Sequence, residues 1–234
     1  MKATILLLLF AGSHLLYSQA NEEKQRTSET EKILAISGVA LAISFTLDDQ
    51  IQEWRGDSYS LFLDQYVEPF GREYSLVGSI AFYGYALIAQ DRKAAKTSVA
   101  LGKALVFSYI GSNGLKMIFR RTRPNQLGYD EGAWFQYDQP GNISNSFPSG
   151  HSTYASSVAT VLVLSYPEEK WLPWAAYGMA GLVGFERVYN GRHHLSDVIA
   201  GWTLGYFLGK LALKPWGLDA YFLPGGAGLT LSLD

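Results

Sequence analysis

The sequence contains no cysteine, which removes disulfide bonds, thiolate metal sites and a lipid-modified cysteine from consideration. Charge is scarce: Asp, Glu, Lys and Arg make up 17% of the residues, against roughly 25% in soluble domains. There is no surplus of positive charge either. The net charge of −2 gives no basic footprint for a nucleic-acid partner. Proline is missing from the interiors of the apolar stretches, apart from Pro173, and strand-like alternation and internal repeats are not evident. What remains is a chain of 234 residues, 48% apolar, sized for one domain with a sizeable core. That balance fits a greasy globular protein or a membrane protein with polar loops.

The first twenty residues, MKATILLLLFAGSHLLYSQA, join a lysine to an apolar run and the small-x-small site Ser18-Gln19-Ala20. This is the pattern of a secretory signal peptide, so residues 1–20 are set aside from the fold and an exported, periplasmic protein is expected. The alternative is a first membrane helix that is never removed. Residues 21–32, NEEKQRTSETEK, read as a polar N-terminal arm.

Six apolar segments follow, at 33–47, 75–89, 97–119, 153–166, 171–189 and 196–213. Glycine and alanine are frequent in them, as close helix packing demands. They predict an all-α domain over 33–215, a six-helix bundle. A bilayer span needs about 20 mainly apolar residues. The uninterrupted runs fall short of that, with Lys103 and Lys210 inside two of them. The favoured expectation is therefore a periplasmic bundle in contact with a membrane surface, with an integral inner-membrane protein as the alternative. Residues 126–146, rich in Gly, Asn, Asp and aromatics, are long for a connector and read either as a surface loop or as a substrate rim. Residues 216–234 form a tail without helical pattern.

Three clusters carry chemistry. In KMIFRRTRP, Lys116 and Arg123 stand seven residues apart, nearly two helical turns, so both cations can share one face as the helix ends before Pro124. In SFPSGHST, Ser146 or Ser149 can cap the following helix. Gly150 lets backbone amides approach a ligand, and His151 stands at that helix mouth, a ready anion site. In ERVYNGRHHLSDVIAG, His193 and Asp197 are four apart and His194 and Asp197 three apart. On a helix either spacing puts imidazole and carboxylate on one face. A carboxylate holding Nδ1–H leaves Nε2 as a free lone pair, a nucleophile or base. Each cluster alone also has a structural explanation in helix capping or the macrodipole.

Together they say more. In an up-and-down bundle the third helix ends where the fourth begins, and the fifth ends where the sixth begins, so all three clusters converge on one end. Apart from His14 in the leader, every histidine lies in them. Lys116, Arg123 and Arg187 around two helix N-termini make a pocket for a multiply charged oxyanion, most naturally phosphate.

The order Lys116-x6-Arg123-Pro124, Pro148-Ser149-Gly150-His151 and Arg187-x5-His193-x3-Asp197 resembles the type 2 phosphatidic acid phosphatase (PAP2) superfamily, which also holds bacterial acid phosphatases and vanadium haloperoxidases. The motifs span residues 116–197. The resemblance implies that His193 is the nucleophile forming a phosphohistidine, that Asp197 orients it, and that His151 protonates the leaving oxygen and later activates water. It further implies that Lys116, Arg123, Ser149, Gly150 and Arg187 hold the phosphoryl oxygens, with no metal and no cofactor required. One departure is Glu186, where the family often has serine before the arginine; a carboxylate there is expected to point away from bound phosphate. The expected function is hydrolysis of lipid phosphate monoesters or diphosphates. The alternatives are a broad periplasmic acid phosphatase on soluble esters, a haloperoxidase, and an exported bundle that only binds an anionic headgroup.

Overall fold

A computed structural model describes residues 2–126, 132–138, 144–214, 218–223 and 226–231, and side chains from residue 28 to residue 214 within those stretches. By its internal contacts the chain divides into two units, residues through Ala42 and residues from Ile43 onward. The first unit belongs wholly to helix α1, Lys2–Arg55. Residues 21–32, read from sequence as a polar arm, thus lie within helical backbone. The side chains of the expected signal segment lie outside the described residues.

After α1 come α2 (Leu61–Tyr66), a 3₁₀ turn (Glu68–Gly71), α3 (Glu73–Ala89), α4 (Arg92–Phe119), α5 (Gly150–Ser165), α6 (Leu172–Tyr189) and α7 (Leu195–Ala212). The fold is helical as expected, but seven α-helices are described where the apolar segments predicted six. The additional one is α2, whose six residues are too few to register as a helical period. The tail forms an antiparallel hairpin, β1 (Leu218–Leu223) with β2 (Gly226–Leu231), in which Leu218 pairs with Leu231.

Local chemistry sets the helix ends that matter. The Asp91 carboxylate caps α4 by accepting from the amides of Lys93 and Ala94, and α4 stops where Arg120 turns left-handed at φ 44°. Ser149 caps α5, and Pro173 sits in the first turn of α6, where its missing N–H costs nothing.

Helix α5 packs against α4, α6 and α7. Its seam with α7 is built from small residues. A Cβ at Gly205 would lie 2.3 Å from the Thr153 carbonyl oxygen, and one at Gly201 would lie 2.6 Å from that of Ser149. Helices this close admit no side chain between them. The seam therefore sets the opening of α5 directly beside the opening of α7, which is what the site requires.

Candidate active site

The sequence placed three clusters at one end of the bundle, and the structure brings them together. Lys116, in the last turn of α4, donates from Nζ to the carbonyl oxygens of Asn145 (2.5 Å) and Ser146 (3.4 Å). Arg123 donates from Nε to Asn145 Oδ1 at 2.8 Å. These two cations thus stitch the chain entering α5 to the end of α4. Burial, with other cations nearby, lowers the pKa of Arg123 to about 10. A buried cluster of like charges without an anion is unfavourable; a bound phosphate would relieve it.

Ser149 and Gly150 open α5. The Ser149 oxygen accepts from the amide and hydroxyl of Ser152, and its own amide donates to the Asp197 carbonyl at 2.9 Å. An added Cβ at Gly150 would meet nothing closer than Ser112 Oγ at 3.8 Å. Close packing within the protein therefore does not demand glycine there.

His193 is buried and sits before α7 rather than on it, since His194 is the N-cap and Asp197 the third helical residue. The expected shared helix face is replaced by a capping geometry, in which Asp197 Oδ2 accepts from the His194 amide at 2.9 Å. His193 Nδ1 lies 3.7 Å from Asp197 Oδ2, too long for the direct hydrogen bond expected from sequence. The Ser146 hydroxyl stands between them, 2.6 Å from Asp197 Oδ2 and 3.4 Å from His193 Nδ1. Burial holds the His193 imidazole well below its ordinary pKa, opposed by Asp197 and aided by Arg123 and Lys116. A neutral ring with Nδ1 turned to its partners keeps the Nε2 lone pair for bond formation.

Behind this pair lies a network that the motifs did not disclose. Buried Arg121 donates from Nη1 to Asp197 Oδ1 (2.7 Å) and Ser196 Oγ (2.6 Å), and from Nη2 to Asp48 Oδ2 (2.8 Å). Its guanidinium lies 4.6 Å from the Trp134 ring centroid. Asp48, in α1, also accepts from the Ser196 amide at 2.9 Å. The only sequence trace of Arg121 was its place inside FRRTRP, and that of Asp48 was a carboxylate closing an apolar stretch.

On the opposite side, Arg187 and His151 meet. Arg187 Nη1 is 3.5 Å from His151 Nδ1. Glu186 is fully buried, and its two oxygens are spoken for, one gripping Arg187 Nε and the other accepting from Asn190 Nδ2 at 2.9 Å. The departure from the motif is therefore a brace for Arg187.

The sequence profile of the PAP2 superfamily matches residues 97–216, half of the chain and all the motif residues. The chain belongs to the PAP2 superfamily. Among PAP2 and other curated proteins, it is 29% identical over 186 residues to the lipid A 1-phosphatase of Porphyromonas gingivalis, covering 78% of this chain and 37% of that protein. It is 28% identical to the undecaprenyl-diphosphatase of Sulfolobus acidocaldarius, covering 64% of this chain and 67% of that one. The chain thus spans little more than a third of the first relative. The crystal structure of Aquifex aeolicus LpxE superposes with a TM-score of 0.53 at 25% identity, covering 72% of this chain and 96% of that chain. The transmembrane PAP2-type phosphatidylglycerolphosphate phosphatase of Bacillus subtilis gives a TM-score of 0.53 at 21% identity over 77% of this chain and 92% of that chain, a likeness of fold.

Proposed function

We propose that the protein is a metal-independent phosphatase of lipid phosphates, monoester or diphosphate, working through a phosphohistidine. The observation that carries the lipid reading is an apolar cavity of about 310 Å³ along α5, lined among others by Phe70, Tyr74, Phe82, Leu101, Val158 and Met179. It runs down α5 from Ala155 to Leu162, one turn beyond His151, for roughly 10 Å. A cationic cradle above an apolar slot matches an amphiphile with a phosphate head; a soluble ester leaves the slot unused.

In this reading the His193 Nε2 lone pair attacks phosphorus as the bond to the leaving oxygen breaks, and His151 gives that oxygen a proton. Water then attacks the phosphohistidine, passing a proton to His151, as the N–P bond breaks. Lys116, Arg123, Arg187, the Ser149 hydroxyl and the Gly150 amide take the charge on the phosphoryl oxygens. Asp197, through Ser146, supports the positive charge that develops on His193.

Membrane association is consistent with one helical segment, Ser28–Arg55, that is long and apolar enough to cross a bilayer. Large apolar side chains are exposed on other helices too, among them Ile80, Ile88, Ile110, Met117 and Trp174, and surfaces of this kind mark lipid or protein contact. Export with residues 1–20 as the signal is the localisation we propose, tested by the mass of the mature protein and by protease access to intact cells.

The functional test is phosphate release in excess EDTA by the full chain in detergent, comparing long-chain phosphatidic acid with p-nitrophenyl phosphate beside a His193→Ala variant. Release that prefers the lipid and falls at least about 10³-fold in the variant is the expected result. Equal turnover of both substrates would favour a broad acid phosphatase, and wild-type-like release by His193→Ala would remove the mechanism.

A further inference from the structure

The motifs account for His193 and its carboxylate, but they name no carboxylate for His151. One is present. Glu68, on the 3₁₀ turn between α2 and α3, accepts from His151 Nε2 at 2.8 Å, and the same oxygen is 3.3 Å from Arg187 Nη1. The turn that carries Glu68 also braces the ring: a Cβ at Gly71 would lie 2.7 Å from His151 Cβ and 2.8 Å from Cδ2. One short turn therefore fixes both where the imidazole stands and what its outer nitrogen faces.

This turn is itself held in place. Val67 packs with Ala155, Ala180 and Val183. The preceding helix is pinned to the loop before His193: Asn190 Oδ1 accepts from the Ser60 amide at 2.8 Å, and Asp64 lies 3.7 Å from Arg192. The hydrogen bond from His151, with Arg187 and Arg72 adding their charge, keeps the Glu68 carboxyl below its usual range despite partial burial.

We infer that Glu68 is a positioning residue for His151: its carboxylate holds Nε2–H and so sets the ring's orientation, and its negative charge stands beside the imidazole as the proton passes from Nδ1 to the leaving oxygen. The inference rests on the proposed phosphatase reading and goes beyond its motifs. The electrostatic need is plain. Arg187 stands against the other ring nitrogen, and Arg72 is paired with Glu73. Surrounded by cations alone, an imidazole meant to donate a proton would lose it. Glu73 on α3 faces the same group, its carboxylate within 4.8 Å of the ligand atoms of Glu68 and His151. On α5 itself, Tyr154 is the neighbouring titratable side chain. The triad of Glu68, Glu73 and His151 has the look of a cation site, but Arg187 at 3.3 Å from Glu68 and Arg72 at 3.0 Å from Glu73 already supply the countercharge. The two histidines of the site are then each served by an acid, Asp197 for one and Glu68 for the other.

The test is the pH dependence of kcat and KM for phosphatidic acid in mixed micelles, with the full chain in excess EDTA, for wild type, Glu68→Gln, Glu68→Asp and His193→Ala. Glu68→Gln keeps an acceptor and loses the charge. It is expected to lower kcat about 10- to 100-fold, up to the low end of what general-acid catalysis contributes because Glu68 acts through the acid, to move the alkaline limb of the profile toward lower pH, and to leave KM within about twofold. Glu68→Asp should restore a large part of kcat and the original limb. An unchanged profile in Glu68→Gln would overturn the inference while leaving the phosphatase reading intact. So would a fall in KM with a rise in kcat, since that would make Glu68 a plug over Arg187. Loss of wild-type activity in EDTA, restored by a divalent cation, would overturn it in favour of a metal site. If wild type and His193→Ala are alike, the phosphatase reading fails first and takes this inference with it. Vanadate inhibition of Glu68→Gln at the wild-type concentration serves as the check that the variant is folded.

Discussion

The side chain of His193 is 2% exposed and stands in front of a closed network of Ser146, Asp197, Arg121, Asp48 and Ser196; that of His151 is 21% exposed and is held by one 3₁₀ turn. The first half is assembled from α1, the connection between α4 and α5, and α7. The second needs only the turn, α5 and α6. The difference follows from what each histidine is proposed to do. A nucleophile must be neutral before attack and fixed in line with phosphorus, and burial supplies both conditions. A proton donor must meet leaving groups of varied shape and exchange its proton with water, so it stays at the rim. A buried network also couples chemistry to stability, whereas a rim contact does not.

That contrast can be broken most forcefully at Arg121. Replacing it with leucine leaves Asp48 and Asp197 buried without their shared cation, which is expected to cost about 3–5 kcal/mol of stability. Unfolding of the detergent-solubilised protein, followed by circular dichroism, would register it. Arg121→Lys should recover only part of the loss, because an ammonium cannot fork between two carboxylates. A variant as stable as wild type would show that the network behind His193 is not structural. Glu68→Gln, on the rim side, should change turnover and leave unfolding almost unmoved.

A second prediction sharpens the contrast through pH. Burial keeps His193 and His194 below their ordinary pKa in the folded protein, so below about pH 6.5 the unfolded chain binds protons that the folded chain does not. Stability without phosphate should therefore decline as pH falls from 6.5 toward 5. Melting temperatures across that range, for wild type and His193→Asn, should show the shallower slope in the variant. Equal slopes would mean that His193 titrates normally.

The smallest effect is expected in the apolar slot on the rim side. Gly78 lines it, and a Cβ there meets nothing within 4 Å. Gly78→Leu should therefore fill the slot without displacing the helices. KM for long-chain phosphatidic acid should rise about 10-fold, the low end for a steric change in an apolar pocket, while turnover of p-nitrophenyl phosphate stays within about twofold. A parallel loss on both substrates would place the lipid tail elsewhere.

Much of this was legible in the residues themselves. The six long helices appear as apolar segments because each must bury or cover one face, and the motif cations and histidines fall at helix ends, where chain order alone brings them to one end of a bundle. Lys116, Arg123, Ser149, Gly150, His151, Arg187, His193 and Asp197 were all readable on that basis. What failed was the finer geometry. His193 and Asp197 have helical spacing, yet the helix begins after His193, so Ser146 mediates their contact. Spacing cannot tell a residue inside a helix from one just before its cap.

Asp48, Arg121 and Glu68 were not legible as partners of the site. Arg121 finds Asp48 across 73 residues and Asp197 across 76, and Glu68 finds His151 from a turn too short to carry a period. The sequence by itself determined a helical, charge-poor chain whose motif cations and histidines gather at one end, because helix periodicity and end-capping are local and chain order is enough to align helix ends. Only the tertiary structure decided that Arg121 joins Asp48 to Asp197 behind His193, that Glu68 meets His151, and that an apolar cavity lies along α5. Asp48 reaches the site from α1 and Glu68 from a four-residue turn, so their pairing depends on how distant elements pack, which no local pattern in either stretch records.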